Sequence, residues 1–470
     1  MNPIEKEAHT RAIELSTNNQ LDEAYKICDH WLCQNPNSTD WLLLMQYLMM
    51  QAGKKSIAYH LGKRLCGLAP KDPTMWMNFG MAASDVWMLQ EAERAFDKGL
   101  KVAKKPETKA KLHTNWAATL IDNGLFSEAE PHCEAAIKAN PDDPKGIANL
   151  GFCQLARRNW AEGWKNYRLC YGTEFRPMVR YGNEPDWDGV GKGNIVITGE
   201  QGLGDVISFG SMIPDMVDWC EQNDSRLILD VDERLGELFK RSFPKAKVYG
   251  TREADSLDWD EEDRKVDYSL PMGQLAEYFR LKDEDFPGTP YLTVDPERAL
   301  MWKSLFQSKG KPAIGLAWRG GIPRTASRYR QLSLEQLLPI LRSVEATWVS
   351  LQYKDSTKEI EAFKREYPDI DLVEYPSAME SRKDYDDAAA LVSALDHCVI
   401  MQTTVGHCAG AVGTPCWTFV PLSSQWRYGE GYEDFVWAKS IRLLRQTKRG
   451  EWADLIEKTA GELRELFGNH

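Results

Sequence analysis

The chain has no apolar run approaching the roughly 18 residues needed to cross a bilayer, and no charged-then-apolar leader at its start. A cytoplasmic protein, at most peripheral to the inner membrane and without a transmembrane segment, is expected. Runs of basic residues are also missing and the net charge is −12. That balance excludes a non-specific binder of nucleic acid or anionic lipid. The ten cysteines, from Cys28 to Cys416, include no C-x-x-C pair, which argues against a zinc ribbon and for reduced thiols filling apolar cores. Histidine is scarce beyond residue 172, where only His397, His407 and His470 occur. His397 opens an apolar run and is expected to be structural.

What is present is a globular balance of 43% apolar and 27% charged residues over 470 positions. At roughly 150 residues per domain, this length corresponds to about three domains. The charge is unevenly placed. Before Gly172 there are 21 Lys and Arg against 20 Asp and Glu; after it there are 37 against 50. A phosphate-bearing ligand of the acidic part must be held by local groups.

The first 171 residues repeat. Ala110 opens a 34-residue unit with Trp116, Ala117, Leu120, Ala129, Cys133, Ala136 and Pro141 at the positions of a tetratricopeptide repeat. The unit opened by Pro144 places Leu150, Gly151, Gly163 and Tyr167 in the same slots, and that opened by Pro73 does so with Trp76, Phe79, Gly80, Ala83, Ala92 and Phe96. Looser units start at Ser38 and near Glu5, making about five. The expected solenoid stacks helix pairs whose small residues allow close backbone approach. Trp41, Met45, Met49, Trp76 and Met77 fall at helical spacing and are expected in its core. Such an array offers a surface to a protein or glycan partner; a spacer or a homodimerisation arm is the competing use.

A Pro-, Gly- and Asp-rich connection spans 172–193, and beyond it the pattern becomes α/β. The apolar run Asn194–Thr198 leads through Gly199, Glu200, Gln201, Gly202 and Gly204 into a helical stretch, with Asp205 at or near the helix start. The alternation predicts two doubly wound halves, 194–295 and 296–470, the latter ending in a helix over 452–466. The second half has its own strand–turn–helix, Gln402-Thr403-Thr404-Val405-Gly406-His407, where N–H groups and two hydroxyls suit a pyrophosphate. Arg319, Arg328 and Arg330 follow the first strand of that half and are candidate sources of positive charge.

Several short motifs stand in order: Trp187-Asp188-Gly189, Gly199-Glu200-Gln201-Gly202-Leu203-Gly204-Asp205, Ser350-Leu351-Gln352, Asp386-Asp387-Ala388, Leu395-Asp396, His407-Cys408-Ala409-Gly410-Ala411, Trp426-Arg427 and Leu444-Arg445-Gln446. With the repeats, they make essentially the whole chain resemble bacterial proteins in which tetratricopeptide repeats are fused to a glycosyltransferase domain related to the lipopolysaccharide heptosyltransferases (glycosyltransferase family 9). The architecture is remotely similar to that of protein O-GlcNAc transferases. The resemblance implies a GT-B fold of two Rossmann-like halves and an inverting hexosyl- or heptosyl-type transfer that needs no metal and no cofactor beyond the nucleotide-sugar donor. It implies Asp205 as general base. Arg319, Gln352, Thr403, Thr404, Gly406 and His407 would lie on the donor side, and Glu200, Gln201, Gly202 and Gly204 on the acceptor side. The family usually has Asp where this chain has Gln402, and Thr where it has Ala388. A nucleotide-sugar epimerase or hydrolase, and a silent scaffold that only binds a nucleotide, are the alternatives. The donor sugar and base stay open, as does the acceptor: lipopolysaccharide core, another surface glycan, or a protein such as flagellin.

Overall fold

The computed structural model describes residues 1–173, 176–252, 257–321, 330–380 and 384–468. It divides into two compact units, Met1–Cys153 and Gln154–His470. The first is all helical, a TPR-like solenoid: α1 (Pro3–Thr17), α2 (Leu21–Gln34), α3 (Thr39–Gln51), α4 (Lys55–Leu68), α5 (Pro73–Asp85), α6 (Leu89–Val102), α7 (Pro106–Asp122), α8 (Phe126–Ala139) and most of α9 (Pro144–Ala156). The next helix, α10 (Trp160–Tyr167), belongs to the second unit. The division of compact units thus falls inside the fifth repeat, ahead of residue 171.

The repeat is written in the backbone. Each turn within a helix pair passes through one left-handed residue: Asn19, Gly53, Trp87, Gly124 and Arg158, with φ of 59°, 70°, 66°, 74° and 62°. Packing explains the small residues. A Cβ at Gly80 would lie 2.8 Å from the Phe96 ring, so glycine lets α5 close on α6. Ala83 and Ala92, on the same two helices, are fully buried. Trp41, Met45 and Met49 are core residues, while Trp76 and Met77 pack partly buried against the core.

The second unit holds two parallel sheets. The first is built from β1 (Asn194–Thr198), α11 (Leu203–Gly210), α12 (Ile213–Gln222), β2 (Arg226–Asp230), α13 (Gly236–Ser242), β3 (Lys247–Tyr249), β4 (Tyr268–Pro271) and α14 (Ala276–Phe279), with strand order β3-β2-β1-β4. The second comprises α15 (Pro296–Gln307), β5 (Ala313–Ala317), α16 (Leu338–Leu341), β6 (Thr347–Ser350), α17 (Thr357–Glu366), β7 (Leu372–Glu374), α18 (Pro376–Met379), α19 (Asp386–Ser393), β8 (His397–Met401), α20 (Thr404–Val412), β9 (Cys416–Val420), β10 (Ile441–Arg445) and α21 (Ala453–Phe467), in the order β10-β9-β8-β5-β6-β7. Strands buried on both faces, such as the wholly buried Ala313–Ala317, read as continuous apolar runs for that reason. Helix α21 packs on the second half, where Ile456, Ala460 and Leu463 join the core of β5 and β6.

Residues 176–193 are built into the first half. Trp187 is 1% exposed, with its ring against Trp219 and Tyr278, and its backbone N–H donates to Ser269 O. Among the described residues no helix is long and apolar enough to cross a membrane.

Candidate functional site

In doubly wound sheets, ligands sit where strand order reverses, outside the carboxyl ends of the strands. In the first sheet that point lies between β1 and β4, and in the second between β5 and β8. The two turns singled out from the sequence, Gly199–Gly202 after β1 and Gln402–Thr403 after β8, occupy these points.

The first turn sets up Asp205. Gln201 is left-handed, with φ of 58°, and Gly202 caps α11 in extended conformation. Asp205 is the third residue of the helix, and its Oδ2 accepts from the Gly202 N–H at 3.0 Å. Its Oδ1 meets Arg427 Nη1 at 2.7 Å. Arg252 Nη2 donates to Gln201 O at 3.2 Å, bracing the turn from the third strand's end. Glu200, expected on the acceptor side, is instead turned inward. Its carboxylate takes both arms of Arg176 (2.6 and 2.9 Å) and the Gly273 N–H (2.8 Å). Arg176 is 1% exposed and lies over the Tyr167 ring at 4.2 Å. A carboxylate next to the β1 carbonyl end, surrounded by core, is stable only when paired; Glu200 anchors the turn.

The second turn gathers the donor-side candidates. Thr403 caps α20 in extended conformation, and a Cβ on Gly320 would fall 2.4 Å from Thr403 Cγ2, so the chain after β5 lies directly against this cap. Gln402 is 1%, His407 7% and Thr403 8% exposed. Both amide atoms of Gln402, Thr403 Oγ1 and His407 Nδ1 have no hydrogen-bond partner. Such buried unsatisfied groups are rare and mark strain or a missing ligand. His407 Nε2 lies 3.2 Å from Tyr428 OH. Burial, reinforced by the nearby Arg427 charge, holds the His407 pKa down to about 3, so the ring is neutral. Gly406 packs without a side chain, since a Cβ would reach Ile400 Cδ1 at 2.9 Å.

Arg330 is buried beside this turn. Its carbonyl accepts the Gly320 N–H at 2.9 Å, and burial lowers its pKa. Arg319 is more open: it pairs with Glu359 at 2.5 Å and approaches Gln352, whose Nε2 donates to Arg319 O at 3.1 Å. Gln352 lines a separate cavity of about 200 Å³ with Ser350, Tyr353, Thr357, Glu374 and Tyr375. Arg328 lies outside the described residues.

The two turns meet. A Cβ on Gly204 would lie 3.1 Å from Thr404 Oγ1 and 3.3 Å from His407 Cδ2, so the starts of α11 and α20 face each other at close range. Arg427, of the Trp426-Arg427 motif, joins the site although the sequence marks no role for it. It is 6% exposed, its guanidinium lies over Phe209 (4.8 Å) and Trp426 (5.1 Å), and its Nε has no hydrogen-bond partner. Arg445 holds the loop that presents it by donating to the carbonyls of Tyr428 and Tyr432. Trp426 in turn sits against Trp164 and Tyr167 of α10. Other motif residues are joints: Asp386 takes both arms of Arg241 (2.8 and 2.6 Å), and Asp396 accepts the Ala313 N–H at 2.8 Å. Ala388 is buried in α19.

Among the described residues no group of three or more His, Cys, Asp or Glu side chains has the geometry of a metal site. No disulfide joins the described cysteines, and among them only Cys33 is exposed.

No family model matches the chain. Among solved structures, a thermophilic TPR protein of Thermus thermophilus, TTC0263, is 19% identical, with a TM-score of 0.31 over 35% of this chain and 88% of its own. The type IV pilus biogenesis factor PilW is 13% identical, with a TM-score of 0.36 over 52% of this chain and 96% of its own. Protein FlbA of Caulobacter vibrioides (strain ATCC 19089 / CIP 103742 / CB 15) is 30% identical over 467 residues, 95% of this chain and 76% of that protein. At that identity and coverage, with repeats and α/β unit both included, the chain belongs to the FlbA family.

Proposed function

We propose that the protein is an inverting glycosyltransferase of GT-B type that passes a sugar from a nucleotide-sugar donor to an acceptor hydroxyl. The observation that carries this reading is the convergence of two switch-point turns, one bearing Asp205 and the other bearing the unsatisfied group Gln402, Thr403 and His407. In this scheme Asp205 takes the proton of the acceptor hydroxyl as its oxygen bonds to the anomeric carbon. The bond from that carbon to the nucleotide's phosphate oxygen breaks, and the nucleotide leaves with the electron pair. The α20 N-terminus, Thr403 and Arg330 would stabilise the negative charge that develops. The repeats would recruit the acceptor. A groove of about 530 Å³ between α1 and α2, lined by Ile4, Ala8, Arg11, Ile27, His30 and Trp31, is one surface fitted to a partner.

The test is incubation of the full chain with UDP-, GDP-, ADP- and CMP-sugars, reading thermal shift for binding and nucleotide release, with and without cell extract, for turnover. Stabilisation by one donor with release that depends on extract is the expected result. No stabilisation by any donor overturns the enzyme reading; binding without release favours a silent nucleotide-binding scaffold, to which Gln402 in place of a carboxylate would be suited.

A further inference from the structure

Asp205 is not free to act as a base in the state observed. One oxygen is held by the Gly202 N–H and the other by Arg427 at 2.7 Å. The Arg427 side chain is 4% exposed and that of Asp205 25%. Asp205 is the more solvent-facing end of the pair. Around this pair the starts of α11 and α20 face each other, the Arg427 guanidinium lies over Phe209 and Trp426, and His407 beside it is neutral. Asp205 is the one carboxylate that pairs with Arg427 among the described residues, and Arg427 Nε remains without a hydrogen-bond partner.

We infer that Arg427 is an anion-binding residue that Asp205 occupies until the donor arrives. This rests on the glycosyltransferase reading. An anionic group of the nucleotide, seated at the start of α20, takes over the guanidinium, including the Nη1 that Asp205 has been holding, and can engage two of its nitrogens at once. Asp205, keeping only its helix-start contact, becomes an uncompensated carboxylate facing the acceptor. The proton it then receives is the one the acceptor hydroxyl loses on attack. Two consequences follow: donor must bind before the acceptor proton can move, and in the empty enzyme Asp205 competes with nucleotide for the same guanidinium.

The competition is measurable with the full chain by calorimetric titration of whichever of UDP, GDP, ADP or CMP stabilises the wild type. Arg427→Met is expected to weaken that nucleotide at least tenfold. Asp205→Asn is expected to tighten it several-fold, because its competitor is gone. In the Arg427→Met background, Asp205→Asn is expected to change affinity by less than twofold. Equal tightening in both backgrounds means simple repulsion between Asp205 and the nucleotide, and overturns the proposal while leaving the enzyme reading intact. Arg427→Met binding like wild type also overturns it. Failure of wild type to bind any of the four nucleotides removes the enzyme reading and this proposal together. Should Arg427→Met unfold by circular dichroism, Arg427→Lys serves as the second background: it keeps the charge without the fork, and the Asp205→Asn effect there should fall below half of that in wild type.

Discussion

Gly204 of α11 and Thr404 of α20 touch across the two sheets: a Cβ on Gly204 would stand 3.1 Å from Thr404 Oγ1 and 3.4 Å from Thr404 Cα. The separation leaves room for hydrogen and little else. Gly204→Ala should therefore be accommodated by small shifts, whereas Gly204→Val should prise the two helix starts apart. Misplacement by about 1 Å at a reacting centre costs on the order of 100-fold in rate. Nucleotide release from the donor should fall by about that factor in Gly204→Val, with an unfolding midpoint close to wild type.

Asp205→Asn separates a base from a cap. Either side chain can accept the Gly202 N–H, since Asn and Asp serve helix starts equally well, so the helix start should be kept although Arg427 loses its carboxylate. A base that only caps would leave turnover intact. We expect transfer to be lost while nucleotide still binds, several-fold more tightly than to wild type, checked by release assays alongside titration.

The Arg176 and Glu200 pair anchors the Asp205 turn from inside the fold. Glu200→Ala leaves a buried guanidinium without its carboxylate, a loss of about 3–5 kcal/mol. Denaturant unfolding should show this. The double variant Arg176→Met with Glu200→Met should lose less than the sum of the singles, because no buried charge is left unpaired.

Two glycines of the solenoid should respond differently. Gly53 has φ of 70° and open space around its missing Cβ. Gly53→Ala there costs only backbone strain, about 1 kcal/mol. Gly80→Ala would overpack against Phe96, 2.8 Å away, at about 1–3 kcal/mol. Thermal or urea unfolding of the full chain compares them directly.

His397 is buried at the start of β8 with its ring edge-on to Trp417, and burial pushes its pKa down to about 4. In the unfolded chain a histidine takes up its proton near pH 6.5. Between these values the unfolded chain holds the extra proton, so stability falls as pH drops from about 6.5 to 4 and is insensitive to this group above that window. The contribution is on the order of 3 kcal/mol. Unfolding free energies of His397→Gln measured from pH 7 to 4.5 should show a shallower decline than wild type. His407, held lower still, adds to the same decline in wild type and variant alike.

Much of this architecture is legible in the amino-acid order because it rests on local rules. The helix pairs follow from small and large residues recurring at nearly one period, and the left-handed turns at Asn19, Gly53, Trp87, Gly124 and Arg158 lie 34 residues apart except for the 37 between Trp87 and Gly124. Both glycine turns, and the helix starts they open, lie where the strand-turn-helix reading expects them. The three-residue strands Lys247–Tyr249 and Leu372–Glu374 are too short to carry a period and are identified by their ladders alone. The strand Ile441–Arg445 also emerges only from its pairing with β9.

Polar residues in the glycine turn carry no mark of which way they face. Glu200 and Asp205 are five positions apart in one motif, yet one is buried against Arg176 and the other reaches the surface beside Arg427. Local propensity sets the turn; only Arg176, after α10, and the Gly273 N–H, after β4, decide that Glu200 turns inward. Arg427 stands more than two hundred residues from Asp205, and their meeting depends on two sheets docking with α11 against α20. Sequence patterning therefore specifies repeats, strands and turns through short-range sterics and periodic burial. Which charges neutralise one another is settled by long-range contacts, because a buried guanidinium must find its carboxylate wherever the fold brings one.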